Sequence, residues 1–186
     1  MIKRNFYLNQ MTRNMWNGEI KVITGIRRCG KSVLLFDLFY DYLIENGTPK
    51  ENIIKIELDQ RKFYKFRNPI TLCEYIESVV AEKENEKFYL FIDEVQFTQK
   101  IVDKENGDIE VTIYDMLNEL KAYKNLDVYV TGSNSKMLSS DLQQNFAGEQ
   151  RKYVFLHYHS RSFMRIRAEM SRRRLMNICC TAACRV

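Results

Sequence analysis

Ile20-Lys21-Val22-Ile23-Thr24-Gly25-Ile26-Arg27-Arg28-Cys29-Gly30-Lys31-Ser32 joins an apolar run to a loop bounded by two glycines. Residues 20–24 read as a buried strand that stops at Gly25. From Lys31 to about Glu45, Val33, Leu34, Phe36, Leu38 and Tyr42 suit a helix buried on a broad face, with Asn46, Gly47 and Pro49 as its stop. Between strand and helix, Gly25 to Ser32 fits G-x-x-x-x-G-K-[ST]. That setting separates a phosphate-wrapping loop from a chance Gly-Lys-Ser turn. The glycines let successive backbone N–H groups curl around anionic oxygens, aided by the positive end of the helix. Residues 25–33 (Gly25, Ile26, Arg27, Arg28, Cys29, Gly30, Lys31, Ser32 and Val33) are therefore the expected phosphate cradle. Lys31 is placed to reach the β- and γ-phosphates, and the Ser32 hydroxyl to ligate Mg²⁺.

Outward from this loop, period-two and period-3.6 patterns alternate, which predicts an α/β domain. Residues 53–58 read as a second strand, Asn68-Pro69 opens a helix through about Ala81, and residues 88–92 form a continuous apolar run. Such a run suits a central parallel strand covered on both faces. Residues 98–110 are a polar excursion with an Asn106-Gly107 turn signal; a helix follows at about 112–123, a strand at 127–131 and a helix at about 135–145. The expected architecture is a three-layer sandwich around a central, mostly parallel sheet, with ligand over the strand carboxyl ends.

Two further motifs fall on strand ends. Phe91-Ile92-Asp93-Glu94 places Asp93 for a direct or water-mediated Mg²⁺ contact and Glu94 to orient or deprotonate an attacking water. An acidic pair after a strand is weak alone and strong beside the glycine-bounded loop. Thr131-Gly132-Ser133-Asn134 ends the next strand, and Ser133 or Asn134 is a candidate polar sensor of the γ-phosphate. A small polar turn before a helix accounts for either residue nearly as well.

Composition narrows the class. The 186 residues suit one well-buried domain, and 45% hydrophobic content suits a packed core. No apolar run is long enough to span a membrane and the N-terminal residues lack a signal-peptide core, so a cytoplasmic protein is expected. Five irregularly spaced cysteines argue for a reducing compartment, against a disulfide framework or a zinc site. Cys29 lies beside Lys31 at a helix start, where a lowered thiol pKa is an option, although a small filler is the plainer reading. The net charge of +5 is unevenly spread: residues 1–150 carry 20 basic and 23 acidic side chains, residues 151–186 carry 9 and 1. The acidic main part does not support nucleic acid as a partner. Arg61-Lys62-Phe63-Tyr64-Lys65-Phe66-Arg67 interleaves bases with aromatics, which could stack nucleic acid but reads first as a loop with aromatic anchors.

GIRRCGKS, LFIDEVQ and VYVTGSNSKMLSSDL resemble the prokaryotic AAA-type ATP-binding proteins of the AAA+ superfamily, over roughly residues 1–148. The resemblance implies a P-loop NTPase fold, ATP and Mg²⁺ as ligands, and ATP hydrolysis. Members continue into a longer C-terminal part, so the alternative is a nucleotide-binding fragment with little turnover. Assembly into a homo-oligomer, with an arginine from a neighbouring copy, fits such an enzyme. After Gly148 the resemblance lapses, lysine nearly vanishes, and three of five cysteines fall in the last eight residues. Regrouping degenerate codons one base earlier permits L-P-L-S-F from HYHSRSF and N-E-Y-L-L-Y-G-G-L-P from MNICCTAACR, both patterns of that family. The expectation is a frame slip near residues 147–153, an ATPase domain at 1–150, and a basic tail at 151–186 with at most one strand. On that reading the His157/His159 pair and Arg172-Arg173-Arg174 are accidents of the tail rather than metal or phosphate sites.

Overall fold

The computed structural model describes residues 4–83, 85–103, 107–132 and 153–158. Five parallel strands form the central sheet: β1 (Ile20–Gly25), β2 (Ile53–Glu57), β3 (Phe88–Asp93), β6 (Leu126–Gly132) and β7 (Tyr153–Tyr158). Their order is β2-β3-β6-β1-β7, with β4 (Ile101–Asp103) and β5 (Ile109–Val111) pairing as a separate antiparallel hairpin. Because all five strands run the same way, every carboxyl end lies on one edge of the sheet. The loop at Gly25, the acidic pair at Asp93 and the polar end at Gly132 meet there.

Alternation along the strands divides the core in two. Leu90, Ile92, Val128 and Val130 pack on one face with Leu72, Ile76, Met116 and Leu117, from α3 (Pro69–Val80) and α4 (Ile113–Leu120). On the other face Phe91, Tyr129 and Ile23 pack with Met11, Leu34, Leu35 and Phe39. These come from α1 (Arg4–Arg13) and from the helix after the loop, whose π-helical stretch Val33–Phe39 runs into α2 (Tyr40–Glu45). The three expected layers are present, and β3 is buried along its whole length, as its unbroken apolar run requires. Asn68 caps α3, its side-chain oxygen accepting from the Ile70 and Thr71 N–H groups, with Pro69 at the tolerated first position.

Two features depart from the expectations. Helix α1 had no counterpart there: among its residues whose burial is described, only Tyr7 and Met11 are buried, too few to show a period. The excursion at 98–110 is a hairpin, with Gly107 at φ 89° in the turn that Asn106-Gly107 signalled. The sheet also continues past residue 150. Strand β7, the one strand allowed for in residues 151–186, pairs with β1 in parallel from Ile20↔Tyr153 to Gly25↔Tyr158. Among the described residues, no helix is long and apolar enough to cross a membrane.

Candidate functional site

The loop between β1 and the following helix owes its curl to its backbone. Gly30 takes φ 100°, where a side chain would be strained, and Arg28 takes φ 64°. Two left-handed residues in a short loop turn its N–H groups inward, the geometry of an anion cradle. Leu34 N–H donates to the Gly30 carbonyl at 2.9 Å and begins the helix. Ile26, Arg27 and Arg28 face solvent. Lys31 is only 3% exposed, and its ammonium donates to the carbonyls of Gly25 and Ile26 at 3.2 and 3.3 Å.

Asp93, at the last position of β3, is 4% exposed. It accepts a hydrogen bond from the Thr131 hydroxyl, while burial and the neighbouring Glu94 and Asp59 charges push its pKa up against the opposing influence of the Ser32 and Thr131 hydroxyls. Burial is the largest of these influences, because a carboxylate loses hydration that two hydroxyls do not replace. Thr131 serves both sides of the gap: its hydroxyl donates to Asp93 and accepts from the Glu94 N–H at 3.1 Å. Glu94 sits in the left-handed region, φ 54° and ψ 53°. Gln96 Nε2 donates to its carboxylate. Hydroxyl and carboxylate thus tie β3 and β6 together at the sheet's carboxyl edge.

The structure therefore brings together Lys31, Ser32, Asp93 and Glu94, and leaves Ser133 and Asn134 outside the described residues. Thr131 and Gln96 had no role in the sequence reading; only pairing in space reveals them. Glu57 and Asp59, at the end of β2, add acid to the same edge, and burial raises the Glu57 pKa. Cys29 follows the plainer of its two readings. Its thiol is pushed up, because burial outweighs the Lys31 charge and the loop amides that would lower it. This is a packed filler, not an activated thiol. The basic-aromatic stretch forms the 3₁₀ segment Arg61–Arg67 with Phe66 buried. Arg67 fixes it, donating from Nε and Nη2 to the Leu58 carbonyl at 2.9 and 2.8 Å, which agrees with docked anchors. Among the described residues no cluster of three or more His, Cys, Asp or Glu could hold a metal.

A parallel sheet with a glycine-bounded loop, a buried lysine and an acidic strand end at one edge defines a P-loop nucleotide-binding protein of the α/β class. The family profile described as AAA domain matches residues 17–164, and the chain belongs to that family, a family of nucleotide-binding ATPases. The match runs sixteen residues beyond Gly148, through β7. An uncharacterized protein of Haemophilus influenzae is 33% identical over 166 residues, 88% of this chain and 36% of the relative. An uncharacterized protein of Methanocaldococcus jannaschii is 28% identical over 153 residues, 80% of this chain and 29% of the relative. The chain thus spans about a third of the length of the curated relatives it matches. Among solved structures, the Aeropyrum pernix ORC2 protein superposes with TM-score 0.52 at 13% identity, covering 84% of this chain and 46% of that one. Drosophila ORC bound to DNA gives 0.51 at 11% identity, covering 84% and 90%. At such identities the likeness is one of fold.

Proposed function

We propose that this domain binds ATP with Mg²⁺ and hydrolyses the γ-phosphate. The observation that carries the reading is the Thr131–Asp93 hydrogen bond, which sets the acidic end of β3 against β6, the strand beside β1 and its phosphate loop. The loop amides and Lys31 bind the phosphates; Lys31 already lies buried within the cradle, giving up two carbonyls to take phosphate oxygens. Ser32 and Asp93 offer two hard oxygen ligands and no soft donor. That set suits Mg²⁺, which uses one or two protein oxygens and fills the rest of its shell with phosphate and water. The ion would be held by these two residues and would neutralise charge on the phosphate oxygens.

Glu94 is the proposed base. It accepts a proton from water as the water oxygen attacks the γ-phosphorus; the bond to the β,γ-bridging oxygen breaks and ADP departs. Ser133 or Asn134 would sense the γ-phosphate from the end of β6. An arginine from a further copy of the chain, in a homo-oligomer, would stabilise the charge that develops.

Phosphate release from Mg²⁺-ATP tests this. Glu94→Gln should lower turnover by about 10²–10⁴-fold while calorimetry shows nucleotide affinity retained. Release at the wild-type rate from Glu94→Gln removes Glu94 from its role. Wild-type protein that binds nucleotide and releases no phosphate is a binding fragment instead.

A further inference from the structure

The acidic pair is followed by a short turn whose purpose is not evident from the reaction. Val95–Phe97 forms a 3₁₀ segment directly after Glu94, closed by the Phe97 N–H donating to the Glu94 carbonyl at 3.0 Å. Thr98 continues it, with N–H and hydroxyl both bonded to the Val95 carbonyl, at 3.1 and 2.7 Å. Because Glu94 is left-handed, this turn reverses over its own carboxylate and brings Gln96 Nε2 onto Oε2. From the other side, the Glu94 N–H is fixed on the Thr131 hydroxyl. Main chain and side chain of Glu94 are thus held independently, one by β6 and one by the turn.

We infer that Gln96 is a positioning residue for hydrolysis: its amide holds one oxygen of the Glu94 carboxylate and leaves the other to face the attacking water. A glutamate has three side-chain torsions, and a free one would spend little time at a productive angle. An amide is suited to the task. It donates to the carboxylate without adding a charge, and unlike lysine or arginine it does not compete for the phosphates. The glutamine must lie two residues on, since the turn carries that position back over its start. This inference rests on Glu94 being the base, and its failure can be told apart from the failure of that reading.

The test uses the full chain with Gln96→Met, which keeps length and volume and removes the donor. Turnover of Mg²⁺-ATP should fall by about 10–100-fold, the cost of a misaimed group. Affinity for a non-hydrolysable ATP analogue, measured by calorimetry, should stay within about threefold, because the role inferred for Gln96 is to aim the base rather than to hold phosphate. Placed on Glu94→Gln, the same change should cost nothing further, since there is no base left to aim. Gln96→Glu, equal in shape, should lose at least as much by setting a like charge against Glu94, and it serves if the methionine variant does not fold. Unchanged turnover in folded Gln96→Met or Gln96→Glu overturns the inference, as does faster turnover, which would make the amide a brake. Equal losses of affinity and turnover also overturn it, by showing a general structural role. If Glu94→Gln itself keeps full turnover, the underlying assignment fails first.

Discussion

Near the start of β1, Lys21 is fully buried and ion-paired with Asp127 of β6; just beyond its far end, Lys31 is nearly as buried and donates to loop carbonyls. The two sites occupy opposite edges of one sheet. At the amino edge the charges cancel and every partner has a use. Asp127 Oδ2 also accepts from the Trp16 N–H at 3.2 Å and the Tyr129 hydroxyl at 3.0 Å, and Trp16 Nε1 donates to the Tyr89 hydroxyl at 2.9 Å. At the carboxyl edge Asp93 and Glu94 crowd together, and Lys31 among the described residues meets no carboxylate. Buried charge that is complete within the protein braces the fold, whereas buried charge left over awaits a ligand. The amino edge is finished by folding; on the function proposed above, the carboxyl edge is finished by nucleotide.

Exchanging each lysine for methionine should separate the edges most sharply. Lys21→Met strands Asp127 and should destabilise the protein by about 3–5 kcal/mol, lowering Tm by about 10 °C. Lys31→Met should leave the nucleotide-free Tm within about 2 °C and abolish the rise in Tm that ATP produces. Thermal melts with and without nucleotide read both, and equal destabilisation by the two changes would erase the distinction.

Asp93→Asn should give a smaller effect of opposite sign on stability. The wild-type carboxyl has a raised pKa when folded, so the folded state binds the proton more tightly than the unfolded state. Its penalty is in full force above the folded pKa and fades as pH drops toward the unfolded value of about 3.9. The variant should be more stable by about 0.5–1 kcal/mol at neutral pH, with the gain vanishing near pH 4, and should release no phosphate. Urea melts across that range check the sign; a gain that grows in acid would refute it.

The least effect is expected at the thiols. Cys29 is raised by burial, and burial with Glu77 and Glu119 pushes Cys73 up to about 12. Neither should alkylate at pH 8 faster than the protein opens, as mass-mapped labelling would show. Rapid modification of Cys29 would mean that the loop carries more positive field than its neighbours suggest.

What could be read in advance was what is local. Gly25 to Ser32 states its own chemistry, since the residues that shape the cradle are contiguous, and β3 shows its interior place in five consecutive apolar residues. What depends on partners distant in the chain was hidden. Lys21 looks like any charged residue on a strand until Asp127, 106 positions later, lies against it. Thr131 gains its role only by standing beside Asp93 across a strand gap. Gln96 was quoted within LFIDEVQ without a task, because the left-handed turn at Glu94 is not encoded in composition or period. Strand β7 shows the converse. YVFLHY has β-propensity, and although it falls in the basic tail, six residues in register beside β1 give it a place in the sheet.

Trp16 is the chain's one tryptophan, and it sits edge-on to Tyr89, ring centroids 5.1 Å apart, at the amino edge. Its emission therefore belongs to the braced end of the molecule, with the sheet between it and the phosphate loop. A single natural fluorophore so placed follows the melting of the scaffold without direct contact with bound nucleotide. Folding and ligand occupancy can thus be watched as separate signals, with no label added.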